Sequence, residues 1–221
     1  MRSLLLSLLL TLLAGGLLPP PPVAAQDAYT ARIARVKYDG GGDWYGDEQS
    51  LVQLLQYVRE NTLLDVAPRE DVVELSSEKL FTYPYLYLTG HGNIQLTDEE
   101  AERLRRYLDG GGFLHIDDNY GLDKHIRREM KKVYPDQEFA ELPFDHPIYH
   151  THYDFESGLP KIHEHDGKPA QGFGLFTPDG RLAVFYSYES DLGDGWEPAA
   201  VHNDPPEKRR QALQMGTNIL T

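Results

Sequence analysis

Hydrophobic positions along the chain recur with two periods, and the switches between them mark the elements. Residues 32–38, RIARVKY, form a candidate first strand. DGGGDWYGD follows, too rich in glycine for a regular element and so a loop. Leu51, Leu54, Leu55 and Val58 then recur at helical spacing, with Asp47 placed to cap the helix they line. Val72 to Leu75 reads as a short strand entered through the breaker Pro68. Residues 83–89, YPYLYLT, are apolar without clear alternation, as suits a central strand covered on both faces. After the loop GHGNIQL, Thr97 and Glu100 make a capping box for a helix buried through Ala101, Leu104 and Leu108, with Gly110 at its left-handed C-cap. Phe113 to Ile116 is the next strand, and Leu122, Ile126, Met130 and Val133 line another helix that Pro135 ends.

The later part changes character. GFGLFTPDGRLAVFYSYES reads as a hairpin turning at Pro178-Asp179-Gly180, and Pro205-Pro206 open a last helix carrying Leu213 and Ile219. Strands alternating with helices predict an α/β fold: a mostly parallel sheet between helix layers, followed by a C-terminal β-hairpin plus helix.

Composition adds a leader and removes some chemistry. Residues 1–25 read as a secretory signal peptide: Arg2, an apolar stretch from Leu4 to Leu18, and Val23-Ala24-Ala25 before a cut ahead of Gln26. The stretch is about 15 residues, short for a bilayer span, and four prolines follow it. The expectation is a cleaved leader, a single domain over 26–221, a periplasmic or extracellular location, and no membrane span after cleavage. Losing Arg2 takes the formal charge from −14 to −15, which disfavours nucleic acid and anionic lipid surfaces. With no cysteine, disulfides, thiolate metal sites and a thiol nucleophile are excluded.

In open parallel sheets, ligands bind beyond the carboxyl ends of the strands. Three such ends are polar here, at Asp39 to Trp44, Thr89 to Asn93, and Asp117 to Tyr120. Asp39, Asp43, Trp44, Asn93, Asp118 and Tyr120 are candidate ligand-binding residues, and Asp117 and His91 candidate catalytic ones. Adjacent strand residues point to opposite faces, so two aspartates within the strand would bury one of them. The strand is therefore expected to end at Ile116, with Asp117 turned to the cleft and Asp118 capping the next helix or binding loop amides. The plainer alternative makes both of them caps. His91, between two glycines, fits the role of acid, base, metal ligand or hydrogen-bond donor, or of a simple turn residue.

Five histidines crowd residues 145–166. His150 and His152 share a face if extended, as do His163 and His165. His146, His150 and His152 are candidate ligands for a divalent metal, with Asp145 able to orient His146; an exposed polar face is the ordinary alternative. Trp44, Tyr45, Tyr120 and Trp196 lie in expected loops, where they can stack on a sugar or a peptide or pack the loops down. Asp191 to Trp196 is acidic and glycine-rich but lacks the ligand spacing of a calcium loop.

The ordered set TGHG (89–92), DGGGFLHIDD (109–118), DHPIY (145–149) and SYESDLGDGWE (187–197) resembles the bacterial family called domain of unknown function 4159, over nearly all of the expected mature chain. The resemblance implies membership of the class I glutamine amidotransferase-like superfamily, which includes trehalose-utilisation-like proteins, and a flavodoxin-like three-layer fold. It also implies that the superfamily's nucleophile elbow falls at Asp117. A carboxylate there does not replace a thiolate in attacking an amide, so glutaminase chemistry is closed. Three readings follow. One is a binding or interaction domain for a small polar molecule, a glycan or a peptide of the envelope. The second is an Asp/His or metal-assisted hydrolase of an extracytoplasmic substrate. The third is a purely structural partner of an envelope protein, with no ligand.

Overall fold

The computed structural model describes residues 30–221; the expected leader lies outside the described residues. In chain order the elements are β1 (Ile33–Lys37), α1 (Ser50–Asn61), β2 (Asp71–Glu74), β3 (Tyr85–Leu88), α2 (Asp98–Asp109), β4 (Phe113–Asp117), α3 (Asp123–Val133), β5 (Ala140–Glu141), β6 (Gln171–Phe176), β7 (Leu182–Tyr188), α4 (Leu192–Trp196), α5 (Ala199–His202) and α6 (Pro206–Leu220), with 3₁₀ turns at Glu78–Thr82 and Pro147–Tyr149. One sheet has the order β2-β1-β3-β4-β7-β6-β5. Its first five members pair in parallel, and β6 and β5 continue it antiparallel. The parallel part has the strand order of flavodoxin.

Alternation on the strands divides the core in two. Leu86, Leu88, Leu114 and Ile116 face α2 and α3, which supply Leu104, Leu108, Ile126 and Met130. Tyr85, Tyr87 and Phe185 face the other layer, built from α1, α4 and α6 through Leu51, Leu54, Trp196 and Leu213. The β6–β7 hairpin turns at residues 177–181, and Pro206 stands in the first turn of α6, as the sequence predicts. Among the described residues no helix is long and apolar enough to cross a membrane.

Local expectations succeed where the signal is short-range. Thr97 and Glu100 form the reciprocal capping box of α2. At the other end of that helix the left-handed residue is Gly111 at φ 110°, one position later than expected, while Gly110 has φ −78°. Asp47 does not cap α1. It is itself left-handed (φ 53°), its carbonyl accepts from Ser50 N, and its carboxylate accepts from Asn119 Nδ2 at 3.1 Å. Trp196, expected in a loop, is buried at the end of α4, with Nε1 donating to Ala212 O at 2.8 Å.

Candidate functional site

The strand order reverses between β1 and β3, where a flavodoxin-like sheet opens a crevice. Here the two loops close on each other. Gly42 N donates to Asn93 O at 2.8 Å, Gln95 N to Asp39 O at 2.8 Å, and Asn93 Nδ2 to Gly40 O at 2.9 Å. The backbone N–H of His91 donates to Asp43 Oδ1, and its Nδ1 lies 3.1 Å from Asp43 Oδ2. Of the residues expected to bind a ligand, Asp39, Asp43 and Asn93 are thus engaged in joining loops, and Trp44 packs partly buried against the core and edge-on to Tyr45.

The two aspartates ending β4 have different surroundings. β4 runs one residue beyond the expected end, so Asp117 stays in the strand and is fully buried on the face of α1, α4 and α6. Its Oδ1 accepts from Ser187 Oγ (2.5 Å) and Leu192 N (3.3 Å), its Oδ2 from Gly193 N (2.6 Å) and Tyr87 Oη (3.1 Å). Four donors make burial of the carboxylate tolerable. Asp118, on the opposite side, accepts from Glu189 N at 3.0 Å and lines a cavity. Asp117, expected to turn to the cleft, is instead buried as a tether, while Asp118 binds a loop amide as expected and also lines the cavity. Both carboxylates also tether one segment, the β7–α4 turn. That turn holds two left-handed residues other than glycine, Glu189 (φ 55°) and Asp191 (φ 62°), an arrangement that persists only where the surroundings over-determine it.

Beneath Asp117 runs a polar chain that sequence reasoning misses. Ser187 has one proton, which it donates to Asp117. His115 Nε2, 2.9 Å from Ser187 Oγ, must then donate, leaving Nδ1 to accept from Tyr85 Oη at 3.0 Å. Burial holds His115 down to about 3, so the imidazole is neutral. Burial first, then the charge of Asp191, push Asp117 up to about 7 against its hydrogen bonds from Ser187 and Gly193, with Asp47 adding a smaller upward push.

The two groups oppose each other in pH dependence. Asp117 has a folded value above that of an open chain, so its contribution is fullest in acid, below about 3.8, and is lost as pH rises through about 7. His115 is depressed, so its contribution is present above 6.5 and is lost as pH falls towards about 3. His115→Gln removes the second slope. The variant is expected to gain on the wild type by on the order of 3 kcal/mol between pH 6.5 and 4, read as the difference in urea unfolding free energy at each pH. A difference that stays constant across that range would contradict a neutral buried imidazole.

Outward from this chain lies a cluster of histidines and carboxylates. His163 Nδ1 is 3.1 Å from Asp191 Oδ2 and 2.9 Å from Asp194 Oδ2, and its Nε2 is 3.1 Å from Asp204 Oδ2. His165 Nε2 is 3.2 Å from the same Asp191 Oδ2, and its Nδ1 is 4.0 Å from Asp118. His202 Nε2 is 3.5 Å from Asp194 Oδ1. The hydrogen bond to Asp191 is the first cause that lifts His163, to about 9. Burial pushes Asp191 upward, but the bonds from His163 and His165 together outweigh it and hold it low, at about 2. Asp194 is pushed up, by burial first and then by Asp191 and Asp47.

Next to the cluster, a cavity of about 330 Å³ opens at the carboxyl edge of β4 and β7. Asp118, Tyr120, His165, Lys168, Tyr188 and Glu189 are among its lining residues. Tyr120 is 60% exposed and stands edge-on to His165, with ring centroids 6.1 Å apart. Burial raises Asp118 to about 6, against the hydrogen bond from Glu189 N and the charge of His165. Asp118 and Tyr120 are thus the expected ligand-binding residues that the fold brings to the cavity.

The histidines expected as metal ligands are not brought together. His146 caps the 3₁₀ turn, its Nδ1 accepting from Ile148 N at 3.2 Å. His150 lies between Asp154 and Phe144 O, and His152 packs edge-on to Tyr153. They are not extended: residues 147–149 form a 3₁₀ turn, so the shared strand face does not arise. His163 and His165 do converge, on Asp191. The partners that sequence reasoning misses are Asp191 in the β7–α4 turn, Asp194 in α4, His202 at the end of α5 and Asp204 in the link before α6; the clue was the acidic run at 191–194.

The chain belongs to the family described as Domain of unknown function (DUF4159), which it matches over residues 32–221. The matched span holds every element of the fold and every residue of the cavity and cluster. No curated protein matches the chain.

Proposed function

We propose that this chain is an exported binding domain for a small hydroxyl-rich ligand, a neutral saccharide of the envelope, held at the carboxyl edge of β4 and β7. The observation that carries the reading is the lining of the cavity. Asp118 and Glu189 offer acceptors for hydroxyl groups, Lys168 and His165 offer donors, and exposed Tyr120 offers a ring face on which a sugar can stack. Asp123, Asp166 and Lys124 complete the charged lining, so acids outnumber bases and an anionic ligand is disfavoured. The volume lies at the lower end of small-molecule sites, roughly 300–1,000 Å³, but the walls are more polar than is usual there, which suits a sugar better than an apolar compound.

Binding is favoured over hydrolysis by the fate of the two catalytic candidates. Asp117 is roofed by α4 and spends its four contacts on structure, and His91 is paired with Asp43 over the β1–β3 loops. The class I glutamine amidotransferase-like reading draws support from the parallel strand order. In that reading Asp117 occupies the elbow position and the thiol chemistry is absent. Export rests on the leader pattern of residues 1–25.

Calorimetric titration with a neutral disaccharide, an oligomer of N-acetylated hexosamine, an acidic sugar and a dipeptide tests the reading. A neutral sugar is expected to bind, and Tyr120→Ala to weaken it about tenfold without a change in melting temperature. Binding of the dipeptide alone, of the acidic sugar alone, or of none of the four would overturn it.

A further inference from the structure

We infer that His163, Asp194 and His202 form a binding site for a divalent transition metal of the zinc class, with Asp204 as the carboxylate that orients His163. The inference stands on the cluster itself and does not depend on the saccharide reading.

One ligand atom from each of the three residues lies within 4.8 Å of the others. The two imidazoles face each other with centroids 5.1 Å apart, and the Asp194 carboxylate spans them, with one oxygen 2.9 Å from His163 Nδ1 and the other 3.5 Å from His202 Nε2. Two imidazoles and a carboxylate suit zinc, cobalt or nickel, while calcium and magnesium prefer all-oxygen sets. If Nδ1 of His163 holds the metal, Nε2 carries the proton and points at Asp204, 3.1 Å away. That is the carboxylate–histidine–metal arrangement which fixes tautomer and ring orientation.

A second observation points the same way. Oδ1 of Asp191 is buried without a hydrogen-bond partner, on a carboxyl group whose other oxygen contacts His163, and the side chain is 6% exposed. Among the described residues, the ion-pair partners of Asp191, Asp194 and Asp204 are all histidines. No lysine or arginine is among these partners, so a bound divalent cation would take over the charge balance that the histidine protons otherwise supply. The three ligands keep partial access to solvent, with side-chain exposures of 26%, 15% and 29%. Three protein ligands leave a coordination position open for water or a bound molecule. Asp191 also joins the site to the cavity, since it contacts both His163 and the cavity residue His165.

The test uses the untagged chain, stripped with a chelator and titrated with Zn²⁺ and separately with Co²⁺. One equivalent of each is expected to bind, with Zn²⁺ raising the melting temperature and Co²⁺ developing the visible absorption of a low-coordinate nitrogen–oxygen site. His202→Ala should lower metal affinity at least 10–100-fold; α5 contributes no buried residue, so the variant should melt as the metal-free wild type does. His152→Ala, outside the cluster, should bind as the wild type. Absence of stoichiometric binding would overturn the inference. So would binding that survives His202→Ala, or binding lost in His152→Ala.

Discussion

Asp117→Ala is expected to lower the unfolding free energy by about 3–5 kcal/mol. The carboxylate is the only acceptor shared by four groups that meet beneath α4. Two of them, the backbone N–H groups of Leu192 and Gly193, cannot turn elsewhere. Ser187 can redirect its proton to Ile116 O, 3.1 Å away, but the two amides would be left buried and unpaired. Asp117→Asn separates charge from hydrogen bonding. Its amide oxygen can face Gly193 N and Tyr87 Oη, while its NH₂ faces Ser187, which then donates to Ile116 O; only the long 3.3 Å bond from Leu192 N is lost. That variant is expected to cost only about 1–2 kcal/mol at neutral pH, because it removes a charge that burial and Asp191 oppose. Urea unfolding of the three chains at pH 7 provides the comparison. If alanine cost no more than asparagine, the tether would not be what holds the turn.

This tether also shows which parts of the molecule the sequence makes legible. α2 and α3 are readable because each carries one apolar stripe, and Thr97 with Glu100 announces the start of α2 within four residues. β3 is readable because YLYL is covered on both faces. α4 is different. Its five residues, LGDGW, include two glycines, which disfavour a helix by about 1 kcal/mol each. The turn that starts it owes its conformation to Asp117 and Asp118, seventy or more residues away. No window of local sequence contains that information.

The same reasoning explains why Asp117 is buried instead of turned to the cleft. Period-two alternation says that two aspartates held in the strand would put one against a helix layer, and Asp117 takes that place. Judging burial of a carboxylate too costly is right for an isolated charge and wrong for one that meets two amides and two hydroxyls. Ser187, in line with Asp117 across β4 and β7, is visible only once the strand register is known. His163 and His165 were readable as a converging pair from their spacing, whereas His202 and Asp204 join them from another segment. The strand ends at Asp39–Asp43 and Gly90–Asn93 were readable as polar loops, but not as loops that close the crevice on each other.

Gly193→Ala supplies the second large effect, and its sign runs against helix propensity. On an open helix the change should stabilise by about 1 kcal/mol. At this position an added Cβ would lie 2.7 Å from Tyr87 Oη, 2.9 Å from Asp117 Oδ2 and 3.1 Å from Asp47 Oδ2. The methyl group would push α4 off the sheet and lengthen the 2.6 Å bond from Gly193 N to Asp117. A net loss of about 2–3 kcal/mol is expected, read from urea unfolding. The displaced helix carries Asp194 and follows Asp191, so the zinc affinity inferred above should fall with it. A double variant separates crowding from a general intolerance of alanine. With Asp117→Ala in place, one of the three oxygens and its hydrogen bonds are gone, and the methyl group gains room. The two losses should then fall short of additivity by about 1–2 kcal/mol. Strict additivity, or a single Gly193→Ala chain as stable as the wild type, would mean that α4 does not owe its position to the close approach of its backbone to Asp117.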